Sequence, residues 1–194
     1  RSLFLPEDKC HWGCFDYSQQ EPRLVVHYAA LHKFPTVYDV VDAYENDSST
    51  DFHRTVADMA KIPRSQAKTI NLGLFYGMGK AKLQAELGVS KDKAVELFDQ
   101  YHAKVPFVKQ LMNSASNKLI QGSAADMTKK AMLELYKEGI LAHIQIHDEL
   151  DLSVESDAQA KKIIEIMENA VSLEVPNKVD YETGKTWGDI YDKD

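Results

Sequence analysis

Apolar residues recur at two spacings along this chain, and each spacing predicts a different element. Between 19 and 33, Leu24, Val25, Tyr28 and Leu31 sit three and four apart, the period that lines one helix face. Pro22 fits the first turn of that helix, where a missing N–H costs little. Pro35-Thr36 starts a second helix with Val37, Val40, Val41 and Tyr44 as its stripe, and after the polar 45–50 loop a third covers 51–61. Pro63 opens a helix to about Tyr76, ended by Gly77 and Gly79. Ser90 caps the next, which carries Ala94, Val95, Leu97 and Phe98. Pro106 begins a helix reaching about 116, residues 117–138 are helical up to Gly139, and 156–171 is amphipathic.

Strand-like stretches are fewer. Residues 3–5 and 11–16 read as short strands, with Leu3, Leu5, Trp12 and Phe15 as apolar members. Residues 142–146 and 150–154 alternate and flank His147-Asp148-Glu149, a β-hairpin with acids at its tip. A final strand covers 178–181. No repeat or low-complexity tract interrupts the pattern. Helices dominate, and scattered strands make a small antiparallel sheet packed by helices, an α+β arrangement rather than a βαβ alternation.

The 194 residues suit one domain or two small subdomains sharing a core. No apolar run approaches the roughly 18 residues that span a bilayer, and the opening Arg1 to Pro6 meets Glu7-Asp8 too soon for a signal peptide. A cytoplasmic chain is expected. Cys10 and Cys14 have no matching ligand pair at zinc-site spacing, so they are read as free thiols in or beside a strand. The net charge of −7 argues against nucleic acid only until its distribution is considered. Between His53 and Lys82 the cations Arg54, Lys61, Arg64, Lys68, Lys80 and Lys82 face Asp58 alone. Scattered lysines usually mean a solvated face, but this one-sided block favours anion binding.

Three constellations carry chemistry. In Phe15-Asp16-Tyr17-Ser18-Gln19-Gln20-Glu21-Pro22-Arg23, a carboxylate ends a strand just before a helix, where the backbone fixes it and solvent reaches it. Alone, Asp16 is more often a cap than a ligand. At 145–150, His147-Asp148-Glu149 occupies a turn without the glycine that tight hairpins favour. That sacrifice of turn chemistry points to function. Because neighbouring strand residues face opposite ways, Asp148 and Glu149 need not share a site, and Asp148 is the safer ligand. In 64–77, Arg64, Lys68, Leu72 and Tyr76 repeat every four residues along one helix face. Two cations one turn apart, ~5.4 Å along the axis, match successive phosphates of a triphosphate. Leu72 and Tyr76 offer an apolar surface for a base, and Gly73 at mid-helix suggests close approach. No Gly-x-x-x-x-Gly-Lys-Ser/Thr occurs, so this is not a Walker A loop.

In order, these stretches resemble motifs A, B and C of the family A (DNA polymerase I-type) DNA polymerases. Asp-Tyr-Ser-Gln-x-Glu-x-Arg at 16–23 resembles motif A, Arg-x-x-x-Lys-x-x-Asn-x-Gly-x-x-Tyr-Gly at 64–77 motif B, and His-Asp-Glu at 147–149 motif C. Asp51-Phe52-His53 is similar to the Asp-x-His before motif B. Asn117 and 121–126 resemble the helix before motif C, and Gly184-x-x-Trp187 the C-terminal strand region. The residues flanking Glu21 look most like phage-encoded members. The resemblance implies a palm at 1–33 and 102–194 and fingers at 34–101, with thumb and exonuclease domains absent. It implies two Mg²⁺ ions, replaceable by Mn²⁺, on Asp16 and Asp148, one activating a primer 3′-hydroxyl and the other holding the triphosphate and the leaving pyrophosphate. Tyr17, Ser18, Gln19 and Leu72 would line the dNTP site, with Arg64, Lys68 and His53 on its phosphates and Lys68 counted as catalytic. Glu21 would crowd the sugar 2′ position and Tyr76 guard the template base. Asn117, Gln121, His147 and Gly77 would lie near DNA, and Glu149 is a supporting acid. The implied partners are primer–template DNA, dNTPs and replisome proteins, with no membrane. A monomer is expected, in the host cytoplasm if phage-encoded.

The pattern breaks twice. Leu72 stands where the family more often has phenylalanine or tyrosine, which predicts altered sugar discrimination. Between Ser116 and Asn117 the family normally carries a few dozen more residues, including a basic segment near primer–template. Without these and a thumb, weak duplex binding and low activity alone are expected. A two-metal phosphodiesterase or nuclease also needs acids on a sheet, but not the Arg64/Lys68/Tyr76 helix or Glu21. A non-catalytic fragment acting as a binding module would need none of the acids for metal affinity.

Overall fold

The computed structural model describes residues 1–75, 80–113 and 116–191, with the side chains of Lys80, Met112, Asn113, Ser116 and Asn117 also outside the description. The described residues form an α+β fold with one four-stranded antiparallel sheet. The helices are α1 Gln20–Leu31, α2 Tyr38–Asn46, α3 Phe52–Ala60, α4 Arg64–Phe75, α5 Lys80–Leu87, α6 Lys91–Lys104, α7 Pro106–Asn113, α8 Ser116–Lys137, α9 Asp157–Asn169 and α10 Gly188–Tyr191. The strands are β1 His11–Tyr17, β2 Ile144–Ile146, β3 Glu149–Val154 and β4 Val179–Gly184. Contacts divide the chain into two compact units, one of residues 1–20, 123–172 and 177–194, the other of 21–122 and 173–176.

The first unit is built on the sheet, in the order β2-β3-β1-β4. Pairing sets Asp16 opposite both Glu149 and Asp180, and Cys14 opposite both Asp151 and Glu182. Opposed residues share a sheet face and alternate residues change face. One face is therefore apolar, with Phe15, Tyr17, Leu150, Leu152, Val154 and Val179 all buried. Here the Tyr17 hydroxyl donates to the carbonyl of Met167 on α9 at 2.6 Å. Helix α9 starts where the Ser156 hydroxyl accepts from the Gln159 N–H, and it buries Ala160, Ile163 and Met167. Gly13 permits close strand packing, because a Cβ there would lie 2.6 Å from Val154 Cγ2. The other face carries the acids.

The second unit is helical. Of the α1 stripe predicted from spacing, Leu24 and Val25 are buried, Tyr28 is half-buried and Leu31 is exposed at the helix end, while Val40, Val41 and Tyr44 on α2 are all buried; α4 buries Ala67 and Ile70. Arg23 is also buried, at 1% exposure. It donates to the Pro176 carbonyl and, at 2.6 Å, to the Ser48 carbonyl, with its guanidinium 4.5 Å from the Tyr44 ring centroid. A buried cation is tolerated when its donors are met this way.

Several boundaries differ from expectation. Residues 3–5 are not a strand. They follow a turn in which Phe4 N–H donates to the Arg1 carbonyl, and Leu3 and Leu5 are exposed. Phe4 instead packs edge-on against Trp187, 5.3 Å between centroids. Helix α2 begins at Tyr38, because Thr36 takes a left-handed φ of 67° that no helix continues. The last strand runs to Gly184 rather than 181. Helices α5 and α10 were not expected.

Candidate active site

The acidic face of the sheet gathers the first set of predicted residues. His147 and Asp148 are the two-residue loop joining β2 to β3, and His147 holds a φ of 53° that glycine or asparagine adopts more readily. The Asp148 carbonyl receives the Tyr17 N–H at 3.4 Å, a long contact that tacks the loop onto β1. Asp16 stands beside it. Partial enclosure, then the charges of Asp148, Glu149 and Asp180, push the Asp16 carboxyl up to about 7. Its side chain stays open to solvent. Burial also raises Asp148, against its own backbone N–H and the nearby His147. Burial raises Glu149, opposed by a hydrogen bond from Tyr191 and reinforced by Asp151 and Asp148. Acids this close titrate as a group. A cleft of about 350 Å³ opens over them, lined by Cys14, Asp16, Glu149, Asp180, Glu182, Ile190 and Tyr191.

Mutually repelling carboxylates reachable by solvent fit a hard divalent cation. Its charge relieves the repulsion, and carboxylate oxygens such as those of Asp16 and Asp148 suit magnesium or manganese.

The helical unit carries the second set. Asp51 caps α3, its Oδ1 accepting from the His53 and Arg54 N–H groups, while its Oδ2 receives Arg64 Nε at 2.5 Å. Burial pulls the Asp51 carboxyl upward, but the Arg64 hydrogen bond and the Arg54 N–H hold it below its usual range. One turn along α4, Lys68 is exposed and Leu72 is half-buried. His53 is 7% exposed, and its Nδ1 lies 2.9 Å from the Asn71 side-chain nitrogen. The Tyr101 hydroxyl donates to Asn71 Oδ1. That donation assigns the Asn71 amide, so its NH₂ gives to His53 Nδ1 and the ring proton sits on Nε2. Burial, then Arg64 and Lys68, lower His53 to about 4 against the pull of Asp51. At neutral pH His53 is an uncharged donor.

The remaining predicted residues scatter. The Tyr17 ring is on the apolar face, away from Asp16, so only its backbone faces the acid site. Ser18 is half-buried and its N–H donates to the Lys178 carbonyl at 2.9 Å. Gln19 takes a φ of 54° at the strand-to-helix corner, and Glu21 is half-buried in the first turn of α1. Gln121 is exposed on α8, and His147 is exposed at the hairpin tip. Tyr76 and Gly77 lie outside the described residues, as does the Asn117 side chain. The sequence reading missed Asp180, Asp151, Asn71 and Tyr101. Asp180 and Asp151 follow from strand alternation once register is known. Tyr101, on another helix, left no local signal.

Comparison with known proteins bears on all of this. The sequence profile of DNA polymerase family A matches residues 1–118 and 110–189. A DNA-directed DNA polymerase of Pseudomonas phage M6 is 34% identical over 97% of this chain and 40% of its own length. DNA polymerase I of Geobacillus stearothermophilus is 31% identical over 97% of this chain and 27% of its own. The fold matches the polymerase domain of Pol1 from M. smegmatis, solved with DNA primer–template and dNTP. The TM-score is 0.79 and the identity 24%, over 97% of this chain and 42% of that one. The chain thus spans less than half the length of each. The phage alignment extends over 263 positions against 194 residues here. The relative therefore carries dozens of residues without counterpart, and the two profile matches meet at 110–118.

Proposed function

We propose, on the premise that this chain belongs to DNA polymerase family A, that it is the part of a template-directed DNA polymerase that joins a dNTP to a primer 3′-hydroxyl. The observation that carries the reading is the proximity of Asp16, near the end of β1, to Asp148, in the β2–β3 loop, 132 positions apart in sequence. Asp16 and Asp148 would hold two Mg²⁺ ions, with Mn²⁺ as a substitute and Glu149 in support. When bound, such ions supply Lewis-acid stabilisation of the attacking and leaving oxygens.

The chain's own residues do the rest. Arg64 and Lys68 neutralise incoming phosphate oxygens, Arg64 with its guanidinium already oriented by Asp51. His53 donates from Nε2 as a neutral imidazole, which binds a phosphate oxygen without needing a proton from solution. Glu21 narrows the space at the sugar 2′ position, and Leu72 packs against the nucleotide. Tyr76 and Gly77 serve the template base, while Gln121, Asn117 and His147 serve primer–template. In this reading 1–33 and 102–194 are palm and 34–101 fingers. The chain acts as a monomer on DNA in the cytoplasm, the host's if phage-borne, and replisome proteins are its further partners.

Primer extension with Mg²⁺, alongside a nuclease assay on the same duplex, tests the proposal. Slow addition of a few templated nucleotides, abolished by Asp16→Asn and Asp148→Asn, is the expected result. Strand cleavage without templated addition would favour a two-metal nuclease. Metal affinity unchanged in both variants would leave only a binding module. Because duplex affinity grows with the number of phosphates neutralised, the isolated chain should dissociate early. Long processive extension would overturn that part.

A further inference from the structure

Behind the Asp16 cleft the same sheet face holds a second cluster. Cys14 Sγ and carboxylate oxygens of Glu149 and Asp151 all lie within 4.8 Å of one another. Asp151 is 0% exposed, and neither of its carboxylate oxygens has a partner at full hydrogen-bond distance, with only Cys14, Trp12 and Glu149 turned towards it. Trp12 Nε1, also buried and without a partner, lies on this face as well. Cys14 is 3% exposed. A buried carboxylate left without donors is costly, on the order of several kcal/mol if charged. It sits in the middle of a strand otherwise paired and packed, flanked by Leu150 and Leu152.

We propose that Cys14, Glu149 and Asp151 form a site for a divalent transition ion of the zinc class, distinct from the magnesium pair Asp16 and Asp148. The donor set decides the class. One sulfur and two carboxylates suit zinc or cobalt, whereas magnesium takes oxygen alone. Three protein ligands leave a fourth tetrahedral position for water. Cys14 and Glu149 both line the cleft, which provides the route in, while Asp151 closes the site from behind. Binding releases the Cys14 thiol proton to solvent as the metal–sulfur bond forms. Among the described residues, Arg1 is the cation that acts on these acids, its guanidinium 4.1 Å from the Tyr191 ring centroid and relieving Glu149 and Asp151 from a distance. Tyr191 hydrogen-bonds one oxygen of Glu149, and the proposed ion takes the other. The site does not depend on the polymerase reading.

Cobalt(II) titration of the whole chain in excess Mg²⁺ tests this, read by near-ultraviolet thiolate-to-cobalt absorption. One saturable equivalent is expected. The band should persist in Cys10→Ser and in the Asp16→Asn/Asp148→Asn double variant, which separates this site from the magnesium pair. It should vanish in Cys14→Ser, and Asp151→Asn should weaken cobalt binding about 10- to 100-fold, as losses around a metal site commonly do. Should Cys14→Ser misfold by circular dichroism, slower alkylation of Cys14 in the parent on adding Zn²⁺ gives the same answer. No thiolate band in the parent, or one that follows Cys10, overturns the site.

Discussion

The acidic sheet face and the cationic helix α4 solve opposite electrostatic problems. On α4 the key groups are settled from within: Asp51 holds Arg64, and Tyr101 fixes Asn71, which fixes His53. On and beside the sheet, Asp16, Asp148, Glu149 and Asp151 crowd together, with Tyr191 bonded to Glu149 and Lys178 paired only with the neighbouring Asp180. One region is preorganised and needs nothing to keep its shape. The other stores repulsion that a cation discharges. The difference separates two ways of preparing a site: orientation is built in advance, charge is left unpaired until the ligand arrives.

The sharpest break in that contrast is removal of the sheet acids. Asp16→Asn and Asp148→Asn should each lower the extension rate by at least about 1,000-fold, the scale of losing several kcal/mol of metal-supplied charge stabilisation. The same changes should raise metal-free stability, since each removes a repelled charge. A stability loss on thermal melting in EDTA would contradict the account of the sheet.

The pH dependence of stability probes the same repulsion more gently. Asp16 is raised in the folded chain from 3.8 to about 7. Between those values the folded chain holds a proton that the unfolded chain has lost, so stability declines as pH rises through the window. Added Mg²⁺ competes with that proton and should stabilise more at pH 8 than at pH 5. Melting curves across that range, with EDTA or Mg²⁺, should diverge with increasing pH. Parallel curves would mean that Asp16 titrates normally.

On the helical side, Tyr101→Phe strands Asn71 Oδ1 in the core. The cost should be about 1–3 kcal/mol of stability. With its amide free to flip, Asn71 no longer enforces the His53 tautomer, and KM for dNTP should rise while kcat changes less. Nitrogen NMR of His53 reads the tautomer directly. A retained Nε2–H form in Tyr101→Phe would show that Asn71 is held by something else.

Much of this was legible in sequence where the signal is local. The stripe Val40–Val41–Tyr44 and the cap at Ser90 each lie within one element and appear as expected, and the α1 stripe holds at Leu24 and Val25 but not at Leu31, which the helix end leaves exposed. Asp148 at a hairpin tip was visible because His147-Asp148-Glu149 lacks turn residues. The expectation for Leu3–Leu5 failed because alternation cannot tell a strand from an exposed coil without a partner strand. Helix α5, Lys80–Leu87, and the four-residue α10 carry no clear apolar stripe. Asp151, Asp180 and Tyr101 needed register or packing between distant segments, which a single sequence does not contain.

The smallest effect concerns Leu72, half-buried one turn beyond Lys68 on α4. An aliphatic side chain gives packing but neither ring stacking nor a hydroxyl. Leu72→Tyr supplies both, and one added hydrogen bond is worth about 0.5–1.5 kcal/mol, roughly 2- to 10-fold. Because a dideoxynucleotide lacks the 3′-hydroxyl that a deoxynucleotide offers, a tyrosine hydroxyl reaching the sugar changes the two unequally. The ratio of dideoxy- to deoxynucleotide incorporation should therefore shift by that factor between Leu72→Tyr and the parent. Leu72→Phe, which adds the ring alone, separates stacking from the hydroxyl. If all three chains give one ratio, residue 72 does not touch the sugar, and the nucleotide lies elsewhere on the helical unit.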